Sequence, residues 1–133
     1  MSSVPHRTGL IKWADLTVDD AESVRDFYAA VVGWRPVGLP VEDREDFVML
    51  HPQSDDPAAG ICHRAGSLTG LPQQWLLYVT VEDLDDSVAA AAEFGGNVVF
   101  GPRESEALGR WCVVEDPAGA VMALTELTPG EDN

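Results

Sequence analysis

Few residues of this 133-residue chain are of a type that does chemistry, and they are widely spaced. Imidazoles stand at His6, His51 and His63, and thiols at Cys62 and Cys112. The two cysteines match no metal-binding or redox spacing and are too few for a disulfide scaffold. Both lie in apolar runs and are expected as buried free thiols. No nucleophile elbow, phosphate loop, dinucleotide fingerprint or zincin helix occurs. Ser23 and Ser87 fall in the first turns of expected helices, so no Ser–His or Cys–His relay is proposed. The sharpest group is Asp15, which lies between Trp13 and Thr17 in an alternating segment. A carboxylate on a partly apolar sheet face can pair with a cation, or act as a base if its pKa is raised. Its plainer alternative is an exposed or hydrogen-bonded strand carboxylate.

The elements that must position Asp15 are legible from periodicity. Residues 10–18 alternate as a strand, with Leu16 and Val18 on one face and Trp13, Asp15 and Thr17 on the other. Asp19 is expected to cap the following helix, with Glu22 in a capping-box position. Val24, Phe27, Tyr28 and Val31 form its apolar stripe, and Gly33 ends it. Strand-like runs follow at 34–39, 46–50 and 59–63. The order then begins again. Residues 75–81 read as a strand and Asp83 as a cap. Leu84, Val88, Ala91 and Ala92 supply a stripe, and Gly95-Gly96 a stop. Further strands are expected at 97–100, 109–114 and 120–127, before a polar, frayed tail at 128–133.

The halves repeat. Leu16-Thr17-Val18-Asp19-Asp20 matches Val79-Thr80-Val81-Glu82-Asp83 at an offset of 63, as does Gly33 with Gly96. Ser23-Val24 matches Ser87-Val88 at 64, one residue having been inserted at the helix start. This predicts an α+β chain of two βαβββ modules, 8–66 and 74–128, in a single domain over 1–133. Neither module is large enough to cover its sheet comfortably alone. Side by side they would form curved, mixed or antiparallel sheets with helices outside and a concave face within.

Composition narrows the partners. At 45% hydrophobic and 23% charged the chain is ordinary for a globular domain. Its 23 Asp and Glu against eight Lys and Arg give a net charge of −15. Such a field repels nucleic acid and anionic membrane surfaces, and weakly favours a neutral or cationic ligand. No stretch approaches the length of a spanning helix, and residues 1–7 show no basic start with an apolar run. A cytoplasmic protein is expected.

The order and spacing of several short stretches resemble the vicinal oxygen chelate superfamily. That family includes glyoxalase I, extradiol dioxygenases, and bleomycin- and fosfomycin-resistance proteins. The matching stretches are Trp13-Ala14-Asp15-Leu16-Thr17-Val18-Asp19-Asp20, Phe27-Tyr28, Gly33-Trp34 and Ala59-Gly60-Ile61. In the second half they are residues 75–83, Gly95-Gly96, Gly109-Arg110 and Asp116-Pro117-Ala118-Gly119-Ala120. The resemblance implies paired βαβββ modules of the glyoxalase/bleomycin-resistance kind, cup-shaped around a ligand and commonly homodimeric. It also implies metal-ligand positions in the first strand, in the strand opening the repeat and in the last strand. These fall on Trp13, on or near Leu76, and on Ala123, none of which binds a divalent ion. The metal site is therefore read as lost, with no cofactor.

Replacement ligands are scarce. If 46–51 and 59–63 form a simple hairpin, His51 faces Ala59 and His63 faces Phe47. The two imidazoles are then about 13 Å apart, too far for one ion. A slipped register or a partner copy would be needed to use them, and His6 is expected at the surface. The cup would instead present Trp13, Asp15, Thr17, Leu76 and Tyr78, with Trp111 beside it, as a small-molecule site. Tyr78 would offer a hydrogen bond or form a rim aromatic. Trp34 is expected in packing between modules or subunits, Trp75 at the cup or a subunit interface, and Arg110 in a surface ion pair.

Three functions follow. The first is metal-free binding of a small neutral or cationic organic molecule, in a homodimer. The second is a lyase, isomerase or dioxygenase of the same superfamily. It would use non-standard ligands such as Asp15, His63 and Glu126, or acid–base chemistry by Asp15 and Tyr78. The third is an accessory subunit whose cup is filled by its own side chains.

Overall fold

A computed structural model describes residues 8–106 and 108–127. His6, the N-terminal segment 1–7 and the tail 128–133 lie outside these residues. The described chain runs β1 (Ile11–Val18), α1 (Ala21–Val32), β2 (Arg35–Val41), β3 (Arg44–Leu50) and β4 (Pro57–His63). After a 3-10 turn (Gly66–Leu68) come β5 (Trp75–Val81), α2 (Leu84–Glu93), β6 (Asn97–Ser105), β7 (Gly109–Glu115) and β8 (Val121–Glu126). This is βαβββ made twice, an α+β fold with mixed strand pairing, as the repeat predicts. No described helix is long and apolar enough to cross a membrane.

The described residues form two compact units: 13–75, and 8–12 together with 76–106 and 108–127. In the first the hydrogen-bonded strand order is β2-β3-β4-β1, with β1 parallel to β4 and the other pairs antiparallel. Leu16, Val18, Phe47, Met49 and Ile61 form its core with Ala21, and Val24, Tyr28, Trp34 and Trp75 pack against it. Each large apolar side chain so buried contributes roughly 1.5–3 kcal/mol. The aromatic members interlock: Tyr28 lies 5.3 Å from Trp75, and Trp34 lies 6.0 Å from Trp75, ring centre to ring centre. The Trp75 indole N–H donates to the Tyr28 hydroxyl at 3.0 Å. Trp34 and Trp75, expected at interfaces or in the cup, thus pack within their own unit on the α1 side.

Helix α1 departs from its expected details. Its cap is Asp20, whose carboxylate accepts from the Ser23 N–H at 3.1 Å. Asp19 is drawn off instead, donating its N–H to Gln73 and pairing with Arg64 at 2.9 Å, which holds its carboxyl below the usual range. The inward arc is Ala21, Val24 and Tyr28, spaced i, i+3 and i+7. It is turned from the expected stripe, so Phe27 and Val31 are exposed. Gly33 does end the helix, at φ 87°. Asp20→Ala should lower stability by about 1 kcal/mol in a denaturant titration, whereas Asp19→Ala should leave the helix cap intact.

The second unit has the order β5-β8-β7-β6. The Gly9 N–H donates to the Thr80 carbonyl and the Thr80 N–H to the Leu10 carbonyl, tying residues 9–10 to β5. Asp83 caps α2 as expected, accepting from the Asp86 N–H at 3.1 Å. Leu84, Cys112 and Leu124 are buried there, with Val79, Val81 and Val88 packed against them, while Ala92 turns outward. Asp116 builds the β7–β8 turn by accepting from the N–H groups of Ala118 and Ala120, and Gly119 supplies φ 92°. That turn sets the register in which Ala123 faces Val113 and, across the parallel pair, Tyr78.

Candidate functional site

Strand alternation places Trp13, Asp15 and Thr17 on the β1 face away from α1, because Leu16 and Val18 are committed to the core beneath the helix. Trp13 and Asp15, two residues apart, point the same way. The Trp13 indole N–H therefore reaches an Asp15 carboxylate oxygen at 2.7 Å. Among the described residues this is the one hydrogen bond that Asp15 receives.

The neighbouring strands make room for it. Register carries one row across the sheet from Asp15 to Gly60, then Val48, then Val37. Gly60 leaves the space that the Asp15 carboxylate fills. A Cβ on it would collide with the Asp15 carboxylate and sit 3.4 Å from the Trp13 indole nitrogen. The next row carries Thr17 beside Cys62, and Asp46 beside Leu39. Asp46 is buried and accepts from the His63 backbone N–H at 2.9 Å and the Arg44 guanidinium at 3.3 Å. Val37 and Leu39 lie about half exposed on this face, at 46% and 48%.

These surroundings set the chemistry. Partial burial pushes the Asp15 carboxyl up to about 6, against the lowering pull of the Trp13 hydrogen bond and with a further push from the Asp46 charge. A carboxylate there titrates close to neutral pH and can take or hold a proton. The Cys62 thiol is pushed up, first by burial and then by the negative charges of Asp15 and Asp46. It is partly buried, not fully buried as expected, and is no nucleophile. Cys112 is buried and free, as expected.

The remaining sequence-derived residues are placed differently. Leu76, Tyr78 and Thr17 are buried, at 0%, 2% and 2% exposure. Trp111 is buried between Tyr78 and Phe100, at 6.0 Å and 5.4 Å between ring centres. Tyr78 is thus no rim aromatic. The structure brings Trp13 and Asp15 into contact, and packs Tyr78 against Trp111 in the second unit. An open pocket of about 380 Å³ also lies at the β3–β4 turn, lined by His51, Pro52, Gln53, Ser54 and Asp56.

No divalent-metal centre is assembled: among the described residues no three His, Cys, Asp or Glu side chains group as a metal site. The expected β3–β4 register is corrected by two residues, since Ala59 faces Met49 and Phe47 faces Ile61. The cause is the turn, which the His51 N–H closes onto the Asp56 carbonyl at 3.0 Å, letting β4 begin at Pro57. His63 neighbours Ile61 in the alternation and so points to the face opposite Asp15, where its Nε2 lies 3.5 Å from Glu22. Glu126 accepts from the Leu84 N–H at 2.8 Å and pairs with Arg110, which also holds Asp85 in the expected surface ion pair. His63 and Glu126, proposed with Asp15 as replacement ligands, are therefore held by other partners. Trp13, Leu76 and Ala123 supply an N–H donor and two hydrocarbons, which do not fit a divalent ion.

Residues 10–124 match the profile of the Glyoxalase/Bleomycin resistance protein/Dioxygenase superfamily. The chain belongs to this superfamily. Glyoxalase-superfamily relatives in sequence include CFP32, a glyoxylase-named protein of Mycobacterium tuberculosis, 29% identical over 96% of this chain and 48% of its own. The anthracycline biosynthesis protein DnrV of Streptomyces peucetius is 31% identical over 92% of this chain and 43% of its own. The chain thus spans about half the length of the curated relatives it matches. Among solved structures, methylmalonyl-CoA epimerase from Mycobacterium tuberculosis aligns over 97% of this chain and 93% of its own. Its TM-score is 0.55 at 18% identity, a likeness of fold. A variant of the Streptomyces coelicolor methylmalonyl-CoA epimerase aligns with a TM-score of 0.53 at 16% identity, over 92% of this chain and 96% of its own.

Proposed function

We propose that this superfamily member binds a small neutral or cationic organic molecule, without a metal, against Trp13 and Asp15. The observation that carries the reading is the Trp13–Asp15 pair. It is an aromatic donor and a partly desolvated carboxylate on a sheet face that also shows exposed Val37 and Leu39. Such a mix of apolar wall and few oriented polar groups suits small-molecule recognition. Leu76, Tyr78 and Trp111, buried in the other unit, are not contact surface in this reading. The kinship to anthracycline biosynthesis proteins is in keeping with an organic ligand, and the net charge of −15 disfavours nucleic acid and anionic membranes. The working form is taken to be a homodimer, as the family resemblance implies, with the cytoplasm as its expected location.

Two measurements test this. In a broad thermal-shift screen some compounds should raise the melting temperature, since a ligand at 100 times its Kd adds about 2.7 kcal/mol. A screen without any stabilising compound would contradict the binding reading. Protein incubated with Zn²⁺, Mn²⁺, Fe²⁺ and Ni²⁺ and then desalted should retain far less than about one ion per chain. Stoichiometric retention would contradict the metal-free part.

A second reading is favoured by the Asp15 carboxyl lying near 6: a metal-independent enzyme in which Asp15 accepts a proton from the bound molecule. Asp15→Asn separates the two. Turnover lost with ligand affinity kept would favour the enzyme, and affinity lost with no turnover in either protein would favour binding.

A further inference from the structure

We infer that the ligand of the Trp13–Asp15 face is a protonated amine carrying a flat apolar body. Its ammonium would lie against Asp15 and its body across Val48 and Val37. The inference rests on the binding reading above and narrows it to one chemical class.

Three observations lead to it. First, Asp15 is an anion with an incomplete set of partners: among the described residues it accepts one hydrogen bond and has no cation beside it. The Arg44 guanidinium, on β3, is engaged by Asp46 and by Glu42. A partly buried carboxylate near a second carboxylate is unfavourable until a positive charge joins it, so a cation gains more here than on open surface. Second, the surroundings of Asp15 do not suit a chelated ion, because among the described residues no three His, Cys, Asp or Glu side chains group as a metal site. An ammonium needs only one or two acceptors and an apolar wall, and the Asp15 carboxylate with the valine row beside it offers that. Third, the row leading away from Asp15 is apolar: Gly60, Val48 and Val37 follow in register, with Leu39 in the next row. Four strands at the usual spacing give this row a span of about 14 Å, the length of a two- or three-ring amine. Val37 and Leu39 are left exposed at its far end, where the body of such a molecule would cover them.

The charge of the whole chain agrees, since a net −15 concentrates cations around it. A neutral ligand would leave Asp15 uncompensated, and an anion would be repelled by both Asp15 and Asp46.

The test compares naphthylethylamine, naphthylethanol and naphthylacetic acid by calorimetry at neutral pH. The amine should bind at least about tenfold more tightly than the alcohol, and the acid not measurably. Asp15→Asn should erase the amine's advantage while leaving the alcohol unchanged. Val37→Lys, at an exposed position in the same row, should weaken the amine about tenfold with Asp15 intact. It keeps the test decisive should the Asp15 variant fold poorly. Equal affinity of amine and alcohol, or an unchanged amine affinity in Val37→Lys, would overturn the inference. If a broad screen finds stabilising ligands while amine and alcohol bind alike, only the amine assignment falls. If the screen finds none, the binding reading falls with it.

Discussion

Between pH 3.5 and pH 7, the wild-type chain should lose about 3 kcal/mol of stability relative to Asp15→Asn. The rise of the Asp15 carboxyl from its ordinary 3.8 to about 6 sets that size. The folded chain then holds the Asp15 proton more tightly than the unfolded chain does. Stability conferred by the protonated form is complete below 3.8, falls as pH rises through the window, and is gone above about 6. The groups facing Asp15 from the adjoining strands are Asp46, which adds to the rise, and Cys62, which stays a thiol. Groups titrating elsewhere are common to both proteins and cancel in the difference. Denaturant midpoints of the two proteins at several pH values measure it. A difference that stays flat across the window would mean that Asp15 is ordinarily hydrated and the site reading has lost its basis.

Gly60→Ala should lower stability by about 2 kcal/mol, in the range of overpacked interiors, because the new methyl group occupies the space of the Asp15 carboxylate. The strand backbone itself accepts alanine, since Gly60 is not among the residues with positive φ. The cost is therefore a contact between two side chains, and a double-mutant cycle isolates it. In an Asp15→Ala background the same Gly60→Ala change should cost under about 0.5 kcal/mol, giving a coupling of about 1.5 kcal/mol. Additive effects would show that the two positions do not share space. Displacing the carboxylate from its cleft should also flatten the pH dependence described above, which links the two experiments.

These predictions rest on features of unequal visibility in the sequence. The alternation from Trp13 to Val18 is enough to assign faces, because a strand with two apolar residues committed to one side fixes where the intervening residues point. Asp15 is visible for the same reason. The repeat locates all eight strands and both helices, since periodicity and glycine stops are local signals. Details that depend on a choice between near-equal local options stay hidden. Asp19 and Asp20 are both good caps, and the Arg64 and Gln73 side chains, 45 and 54 residues away, decide between them. The α1 stripe can be drawn through Phe27 and Val31 or through Ala21 and Tyr28. Trp34 and Trp75, packing on Tyr28, mark the inward arc. The β3–β4 register turns on a backbone bond within the turn.

Burial of Tyr78 and Trp111 is hidden for a further reason: alternation gives the face of a residue but not what covers it. Phe100 flanks Trp111 from β6, and Arg103 in turn lies 4.2 Å over the Phe100 ring. That strand runs on to Ser105, five residues past the expected end at 100, and the extension leaves no trace in the sequence because it is largely polar and carries no apolar alternation. Gly60 does leave a signal. A glycine inside an apolar strand points to close approach of another group, and here that group is the Asp15 carboxylate.

Recognition on the Trp13–Asp15 face and recognition at the buried Tyr78–Trp111 pair would leave different marks on the tryptophans. The chain's four tryptophans give four indole N–H signals in a ¹H–¹⁵N spectrum, which makes the choice directly readable during titration with naphthylethylamine. The signal of the Trp13 indole, already hydrogen-bonded to Asp15, should shift in a saturable way together with the backbone signal of Gly60, while that of Trp111 stays in place. A saturable shift of Trp111 and Tyr78 with Trp13 unmoved would contradict it.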